Sequence, residues 1–599
     1  MNNIIKERLN NLRAAMAEAG ITAWYITTAD FHNSEYVSDY FKVREFFSGF
    51  TGSNGDLLVT EDSAGLWTDG RYFVQAEKEL EGSGITLFKM GEENVPTVLK
   101  YIENDLGEGD TLGFDGKTVA AAFGKKLKKI AEKRNFSIRY KKDITEGIFD
   151  RPAFPVSPAE VLNEELTGES VKSKLERVRE KIREEGADAL FLNKLDDIMY
   201  LFNIRGNDVE CNPVLMSYAY ISMDRSVLFI QNGAVNPRLE SHLRESGTEI
   251  RDYLTVDLFL KELEFGTKVM ADPEQMNYRF YKMLKKQTGG VINGKNPTAL
   301  MKAVKNKTEI ENMRKIYLKD SLALTRFILK ISKSADSEYT EMDAADLLLS
   351  LRKEIPEFRD LSFPTISAYG ENAAMMHYEP GHDHEVPVQK KGFLLVDSGG
   401  QYNGGTTDVT RTIVMGELTE EEKHDYTLTA CSMLRLMNAK WLSGCTGRNL
   451  DILARERMWN EGMDYKCGTG HGVGYILNVH EGPQNIRWKA AANEAELKPG
   501  MTVTDEPGVY KKGKYGIRIE NVLLIKEDEK TTDGQFLSFE NLTFAPIDDK
   551  GIDRSIMSEK EIEMYRRYQG EVYETLEEYL SEEEKRELRE YCGQTSLSS

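Results

Sequence analysis

The sequence predicts an α/β fold spread over several domains, and three observations predict it. A helix–glycine–strand motif occurs twice in the first third of the chain. At 599 residues the chain is too long for one hydrophobic core, and ordinary domain sizes suggest three or four domains. The last third turns to apolar runs broken by paired glycines, with acidic residues set among them.

The duplicated motif is the clearest of the three. Residues 8–26 and 174–192 match at one constant offset, so that Leu9, Leu12, Met16 and Gly20 correspond to Leu175, Val178, Ile182 and Gly186. The three-and-four spacing of the apolar positions gives each copy an amphipathic helix, a glycine closes it, and an apolar strand follows. Two copies imply two similar α/β domains, 1–160 and 161–305. Between them Asp150 to Pro158 carries three prolines in seven residues, which disfavour helix and sheet interiors and mark a linker. A looser third copy of the helix, Ile310 to Leu329, opens a final domain, 306–599. There Phe393 to Asp397 and Thr406 to Val414 are apolar or β-branched runs separated by Gly399, Gly400, Gly404 and Gly405. They read as a hairpin carrying Asp397 and Asp408 side by side. Thr502 to Tyr510 and Tyr515 to Ile525 read as a second strand pair, with Glu506 and Glu520 on its two arms. After Met557, Ile562, Tyr565, Val572, Leu576 and Tyr579 recur at helical spacing among acids, which predicts a C-terminal amphipathic helix with a solvated acidic face.

Composition narrows the function classes. With 40% hydrophobic and 30% charged residues the chain is an ordinary globular protein. A formal net charge of -21 argues against nucleic acid or an anionic membrane as the main partner, since both are polyanions. The start, Met-Asn-Asn-Ile-Ile-Lys-Glu-Arg, has no apolar signal region, and no stretch reaches the length of a membrane span. The five cysteines are odd in number and scattered, which argues against a disulfide framework. A cytoplasmic location is expected.

Five side chains in the last third sit in segments that point to metal. Asp397 lies in Phe-Leu-Leu-Val-Asp-Ser-Gly-Gly, Asp408 in Gly-Thr-Thr-Asp-Val-Thr, His471 in Gly-Thr-Gly-His-Gly-Val-Gly, Glu506 in Thr-Asp-Glu-Pro-Gly-Val-Tyr and Glu520 in Ile-Arg-Ile-Glu-Asn-Val. Any one of these acids alone is an ordinary turn or cap residue. Together, four carboxylates in one small volume repel: two unit charges about 4 Å apart cost roughly 4 kcal/mol at an effective dielectric of about 20. One divalent ion would leave the cluster negative and two would neutralise it. Hard oxygen ligands with one imidazole and no thiolate suit Mn²⁺, Co²⁺ or Zn²⁺ in a hydrolytic site rather than structural zinc. Two ions about 3.5–4 Å apart can share and activate a water.

Six of the eight histidines fall after residue 370. His377, in Met-His-Tyr-Glu-Pro-Gly, and His480, in Asn-Val-His-Glu-Gly-Pro, sit beside glycine and proline, as expected of loops at a cleft rim, where a histidine can donate to a reacting carbonyl. For His382, His384 and His424 the bland reading, a surface or satisfied core residue, is kept. Two decoys are set aside. Val396-Asp-Ser-Gly-Gly400 echoes a serine-protease nucleophile, but the α/β repeat and unpaired cysteines do not fit that fold. Cys467 lies near His471 without any nucleophile arrangement around it and reads as a structural thiol.

These motifs resemble the aminopeptidase P family in its long three-domain form. The resemblance runs through Phe47-Ser-Gly-Phe-Thr-Gly-Ser-Asn-Gly55, Leu66-Trp-Thr-Asp-Gly-Arg-Tyr-Phe73, Leu201-Phe-Asn-Ile-Arg-Gly-Asn-Asp208, His377-Tyr and the five ligand segments. It implies two creatinase-like α/β domains followed by a pita-bread metallopeptidase domain, two metal ions usually assigned as Mn²⁺, and a homodimer. It also implies hydrolysis of the N-terminal Xaa-Pro bond of peptides through a metal-bridged hydroxide. Carried over residue by residue, Asp397 chelates one ion, His471 and Glu506 the other, and Asp408 and Glu520 bridge. Glu506 becomes the proton shuttle, His480 the oxyanion donor and His377 the seat for the proline segment. His471 and His480 also line the substrate, and Arg71 resembles a substrate contact reaching in from the first domain. Prolidase- or creatinase-like action on a dipeptide or small amide, and a non-catalytic peptide- or histone-binding role that would go with lost ligands, stand as the alternatives.

Overall fold

The repeated motif folds into the same element twice. In the computed structural model, which describes residues 2–381, 386–490 and 494–594, the helix Asn2–Glu18 buries Ile5, Leu9, Leu12 and Met16, and the helix Val171–Glu184 buries Leu175, Val178 and Ile182. Each such side chain withdrawn from water contributes roughly 1.5–3 kcal/mol. Gly20 and Gly186 then take φ of +60° and +64°, and the strands Ala23–Thr27 and Ala189–Leu192 follow.

The chain forms two compact units, Met1–Ala299 and Leu300–Ser599. The first holds two six-stranded sheets of one design. Their strand orders are Thr86–Lys89, Ala64–Thr68, Asp56–Thr60, Ala23–Thr27, Thr111–Phe114, Ser137–Arg139, and Thr248–Asp252, Ser226–Ile230, Ser217–Ser222, Ala189–Leu192, Val269–Ala271, Val291–Asn293. In both, the strand after the motif helix is antiparallel to one neighbour and parallel to the other. Residues 151–159 between the two copies have no regular structure, as the prolines dictate.

The first long helix of the second unit is Lys307–Ile331, whose start is fixed by a capping box between Asn306 and Glu309. Strands Ile366–Tyr369, Phe393–Ser398 and Val409–Val414 form an antiparallel sheet with Phe393–Ser398 in the middle. A six-stranded sheet runs in the order Lys440–Leu442, Gly534–Asn541, Asn521–Thr531, Thr502–Asp505, Gly470–Gly472, Glu481–Ile486. Leu324, Phe327, Val396, Ile413, Tyr426 and Leu434 share one core, which Tyr568 and Leu576 of the C-terminal helix join. No helix among the described residues is long and apolar enough to cross a membrane.

Three local expectations are corrected. Phe393–Ser398 does pair with Val409–Val414, but residues 400–406 leave the hairpin and form a separate ribbon with Phe358–Leu361. Asp397 therefore faces Thr410, and Asp408 lies just before its strand rather than beside Asp397. The second ribbon is broken as well: Thr502–Asp505 pairs with Asn521–Thr531, and Gly508–Lys511 pairs with Tyr515–Arg518 in a different sheet. Pro507 has no N–H to offer a ladder, so the break falls beside it. Glu506 and Glu520 occupy the two matching gaps. The C-terminal helix is two helices, Glu559–Leu576 and Glu582–Tyr591, each with its own capping box.

Candidate metal centre and active site

The breaks in these strands turn the acidic residues inward. Asp397 stands one residue before the end of a wholly buried strand, and its partner Thr410 donates through Oγ1 to Glu520 Oε2 at 2.7 Å. The Glu520 backbone N–H donates to the Thr410 carbonyl at 3.1 Å. Donor atoms of Asp408, His471 and Glu520 lie within 4.8 Å of one another. His471 Nε2 is 3.4 Å from Asp408 Oδ2 and 3.6 Å from Glu506 Oε1. Its Nδ1 is fixed by the Gly472 carbonyl at 2.9 Å, which aims Nε2 at the carboxylates. Thr504 joins the two arms: its Oγ1 accepts from the His471 backbone N–H at 3.0 Å and donates to Glu506 Oε1 at 3.2 Å. Gly470, immediately before His471, has no room for a Cβ, which would sit 1.9 Å from the Thr504 carbonyl oxygen.

The electrostatics are those of an unbalanced acidic cluster. Burial, with the Asp397 and Glu506 carboxylates adding to it against the pull of His471, pushes Asp408 up to about 6. Burial and the charges of Asp408, Asp397 and Glu506 hold Glu520 well above the usual carboxylate range. Burial alone would lower the His471 imidazole, but its hydrogen bond to Asp408 and the Glu506 charge outweigh it and raise the group to about 9. Among the described residues one guanidinium enters the cluster. Arg518 donates to Asp397 Oδ2 at 2.6 Å, to the Tyr510 hydroxyl at 2.7 Å and to Thr410 Oγ1 at 3.0 Å. Asp397 Oδ1 stays buried with no hydrogen-bond partner among the described residues. Such an orphaned carboxylate oxygen is costly unless something binds it. An oxygen-rich donor set with one imidazole and that orphan fits divalent cations.

The flanking histidines occupy different surroundings. The His480 ring meets the His471 ring edge-on, with centroids 4.3 Å apart. His377 is held by its neighbours: the Met376 carbonyl accepts from Arg518 at 3.3 Å, and the Tyr378 hydroxyl donates to Glu341 at 2.8 Å. Arg71 lies in the first unit, where Asp69 grips it with two hydrogen bonds of 2.9 Å and Glu35 stands 3.5 Å away. His424 is half-exposed, 3.3 Å from Asp425, and His382 and His384 lie outside the described residues.

Sequence reading missed the basic scaffold behind the ligands. Arg518 stands two residues before Glu520, a spacing that puts both on one side of an extended strand, and that signal was available. Arg411 was not legible: it is buried and bonds to the Thr410, Glu520, Ala545 and Pro546 carbonyls, Asn521 and Tyr568.

Fold and site together define a metallohydrolase with a carboxylate-rich centre. The chain matches the metallopeptidase family M24 over residues 311–527, the C-terminal region of that peptidase over 535–594, and the creatinase/prolidase N-terminal domain over both 8–138 and 150–309. Xaa-Pro aminopeptidase 1 of Dictyostelium discoideum is 34% identical, covering 96% of this chain and 93% of its own. Aminopeptidase P2 of Arabidopsis thaliana is 35% identical, over 95% of this chain and 86% of its own. The solved structure of X-prolyl aminopeptidase from Caenorhabditis elegans, described as a cytosolic enzyme with a di-nuclear active site, superposes with a TM-score of 0.93 at 34% identity, covering 98% of this chain and 99% of its own. The chain belongs to the Xaa-Pro aminopeptidases of metallopeptidase family M24.

Proposed function

We propose that this chain removes the N-terminal residue from peptides with proline at the second position, using two divalent ions held by Asp397, Asp408, His471, Glu506 and Glu520. The observation that carries the reading is the union of full-length similarity to Xaa-Pro aminopeptidases with the clustering of Asp408, His471 and Glu520, beside which Asp397 and Glu506 add two more carboxylates. Mn²⁺ is the ion proposed, with Co²⁺ and Zn²⁺ as competitors for the same donors. The division into 1–160, 161–305 and 306–599, a cytosolic location and a homodimer complete the proposal. Trp459 and Trp488, 41% and 42% exposed with their rings edge-to-face, are the side chains chosen to test the dimer.

Bound divalent ions supply Lewis acidity and lower the pKa of water. The remaining work belongs to side chains. Glu506, less buried than its fellow acids and braced by Thr504, is the carboxylate able to pass a proton to the departing prolyl nitrogen. His480, set against His471, donates a hydrogen bond to the oxygen that gains charge as the peptide carbonyl becomes tetrahedral. His377 seats the proline-containing segment, and Arg71 is a further proposed substrate contact. A proline nitrogen carries no hydrogen and its φ is fixed, so a site built for it gains specificity from shape.

A metal-dependent assay comparing Xaa-Pro-Xaa tripeptides with Xaa-Pro dipeptides tests this. Tripeptide hydrolysis restored by Mn²⁺ is expected, and activity on dipeptides alone would reject it. The Xaa-Pro dipeptidase structure from Bacillus anthracis covers 99% of its own chain but only 63% of this one, at a TM-score of 0.50, which weighs against the dipeptidase alternative. Sedimentation of wild type and Trp459→Glu tests the dimer.

A further inference from the structure

The loop from Val473 to His480 has an unusual tip and an unusual base. At its tip, Ile476 takes φ of +50°, a left-handed conformation that costs a β-branched residue on the order of 1–3 kcal/mol. The Leu477 carbonyl accepts from Gln401 at 2.8 Å, and the Leu477 N–H donates to Thr406 at 3.2 Å, holding the tip down. At the base, Gly472 pairs with Glu481. Beneath that pair lies Lys305, whose side chain is fully buried. Its ammonium donates to the Val473 carbonyl at 2.8 Å and to the Glu481 carboxylate. Its backbone N–H is fixed on the Gly500 carbonyl at 2.9 Å.

One buried charge thus ties the two ends of the loop together. Val473 lies two residues beyond the ligand His471, and Glu481 directly follows His480. Strain at the tip favours relaxation of the loop, and the clamp at the base resists it. We infer that Lys305 is a positioning residue for peptide hydrolysis: by joining Val473 to Glu481 it holds His480 against His471, where its ring can reach the developing oxyanion. The inference rests on the role proposed for His480. Oxyanion donors lose about 10²-fold for displacements near 1 Å, so a buried clamp on the neighbouring residue is expected to register in turnover.

A double-mutant cycle tests it, using the metal-loaded full chain and an Xaa-Pro-Xaa tripeptide. Lys305→Met and the isosteric Glu481→Gln should each lower kcat by about 10- to 100-fold, with KM changed less than about threefold and metal content retained. On a His480→Gln background neither should lower kcat further, because the residue they act through is gone. Losses that multiply on that background, or an unchanged kcat in Glu481→Gln, overturn the inference while leaving the role of His480 intact. Full kcat in His480→Gln alone overturns the role and the inference with it. If Lys305→Met fails to fold, Lys305→Met/Glu481→Met replaces the pair with apolar side chains of similar volume, which buried ion pairs tolerate. Recovered folding with kcat still depressed supports positioning, and recovered kcat refutes it.

Discussion

Two buried acidic regions of the second unit lie one hydrogen bond apart and are treated in opposite ways. Beneath the strand that carries His471, Asp451 is fully answered by protein: Arg455 meets both its oxygens at 2.7 and 3.1 Å, and Thr469 donates to it at 2.6 Å. Arg455 is itself fully buried, with further bonds to Asp464 and the Tyr465 carbonyl. Above it, among the described residues, Asp397, Asp408, Glu506 and Glu520 share one guanidinium and one imidazole, and an oxygen of Asp397 has no hydrogen-bond partner. The Thr469 carbonyl, accepting from the Glu506 N–H at 2.8 Å, joins the two regions. Balanced charge builds the floor, and unbalanced charge is reserved for something from outside.

The contrast can be broken from either side. The largest effect belongs to the unbalanced region. Glu506→Gln should lower kcat by about three to four orders of magnitude through loss of proton transfer and of one ligand; a variant keeping more than a tenth of wild-type turnover contradicts the assigned role. Next comes the balanced region. Arg455→Met strands Asp451 in the interior and should cost about 3–5 kcal/mol in urea unfolding, much of it recovered when Asp451→Leu is added. A double variant as unstable as the single would mean that the stranded charge is not the cause.

Removing the ions is expected to matter less for stability than for turnover. At a free ion concentration about 100 times Kd, each bound ion should raise the unfolding free energy by about 2.7 kcal/mol relative to the chelated protein. Because Asp408 near 6 and His471 near 9 hold protons that an ion must displace, affinity should rise with pH across that interval, with protons released on binding. Calorimetry in buffers of different ionisation enthalpy checks this, and binding without proton release would contradict it.

The smallest effect extends the contrast to the first unit. His32 is fully buried and satisfied by protein, Nδ1 on the Asn193 carbonyl at 2.8 Å and Nε2 2.9 Å from the Tyr253 hydroxyl. Burial lowers its pKa despite Asp30, so as pH falls below about 6.5 the unfolded chain takes up a proton that the folded one refuses. Stability should therefore fall by up to about 1 kcal/mol between pH 6.5 and 5.5. His32→Gln should remove that part of the slope, and an unchanged slope would show that other groups carry it.

Much of this was legible from residue order. The helix–glycine–strand repeat named both sheets of the first unit because its apolar spacing is local and its glycines sit where the backbone turns left-handed. The five ligand candidates were legible because each stands in a short motif of glycine, threonine or proline. What escaped was long-range or two-sided. Arg411 reaches across more than a hundred residues to backbone carbonyls, which leave no trace in side-chain pattern. The splitting of the glutamate ribbon escaped although Pro507 announced it, because alternating apolar residues on both sides masked the missing donor. The ribbon at 400–406 escaped because paired glycines signal a turn equally well whether the strands continue or change sheets.

The missing side chain at Gly470 has a consequence for how this centre can change over generations. With the Thr504 carbonyl where a Cβ would stand, every replacement at 470 forces the strand bearing His471 away from the one leading to Glu506. The gap between those two donors is therefore a fixed gauge rather than an adjustable one. A lineage can retune the centre for a different ion through the surrounding residues, but this spacing offers it no gradual steps.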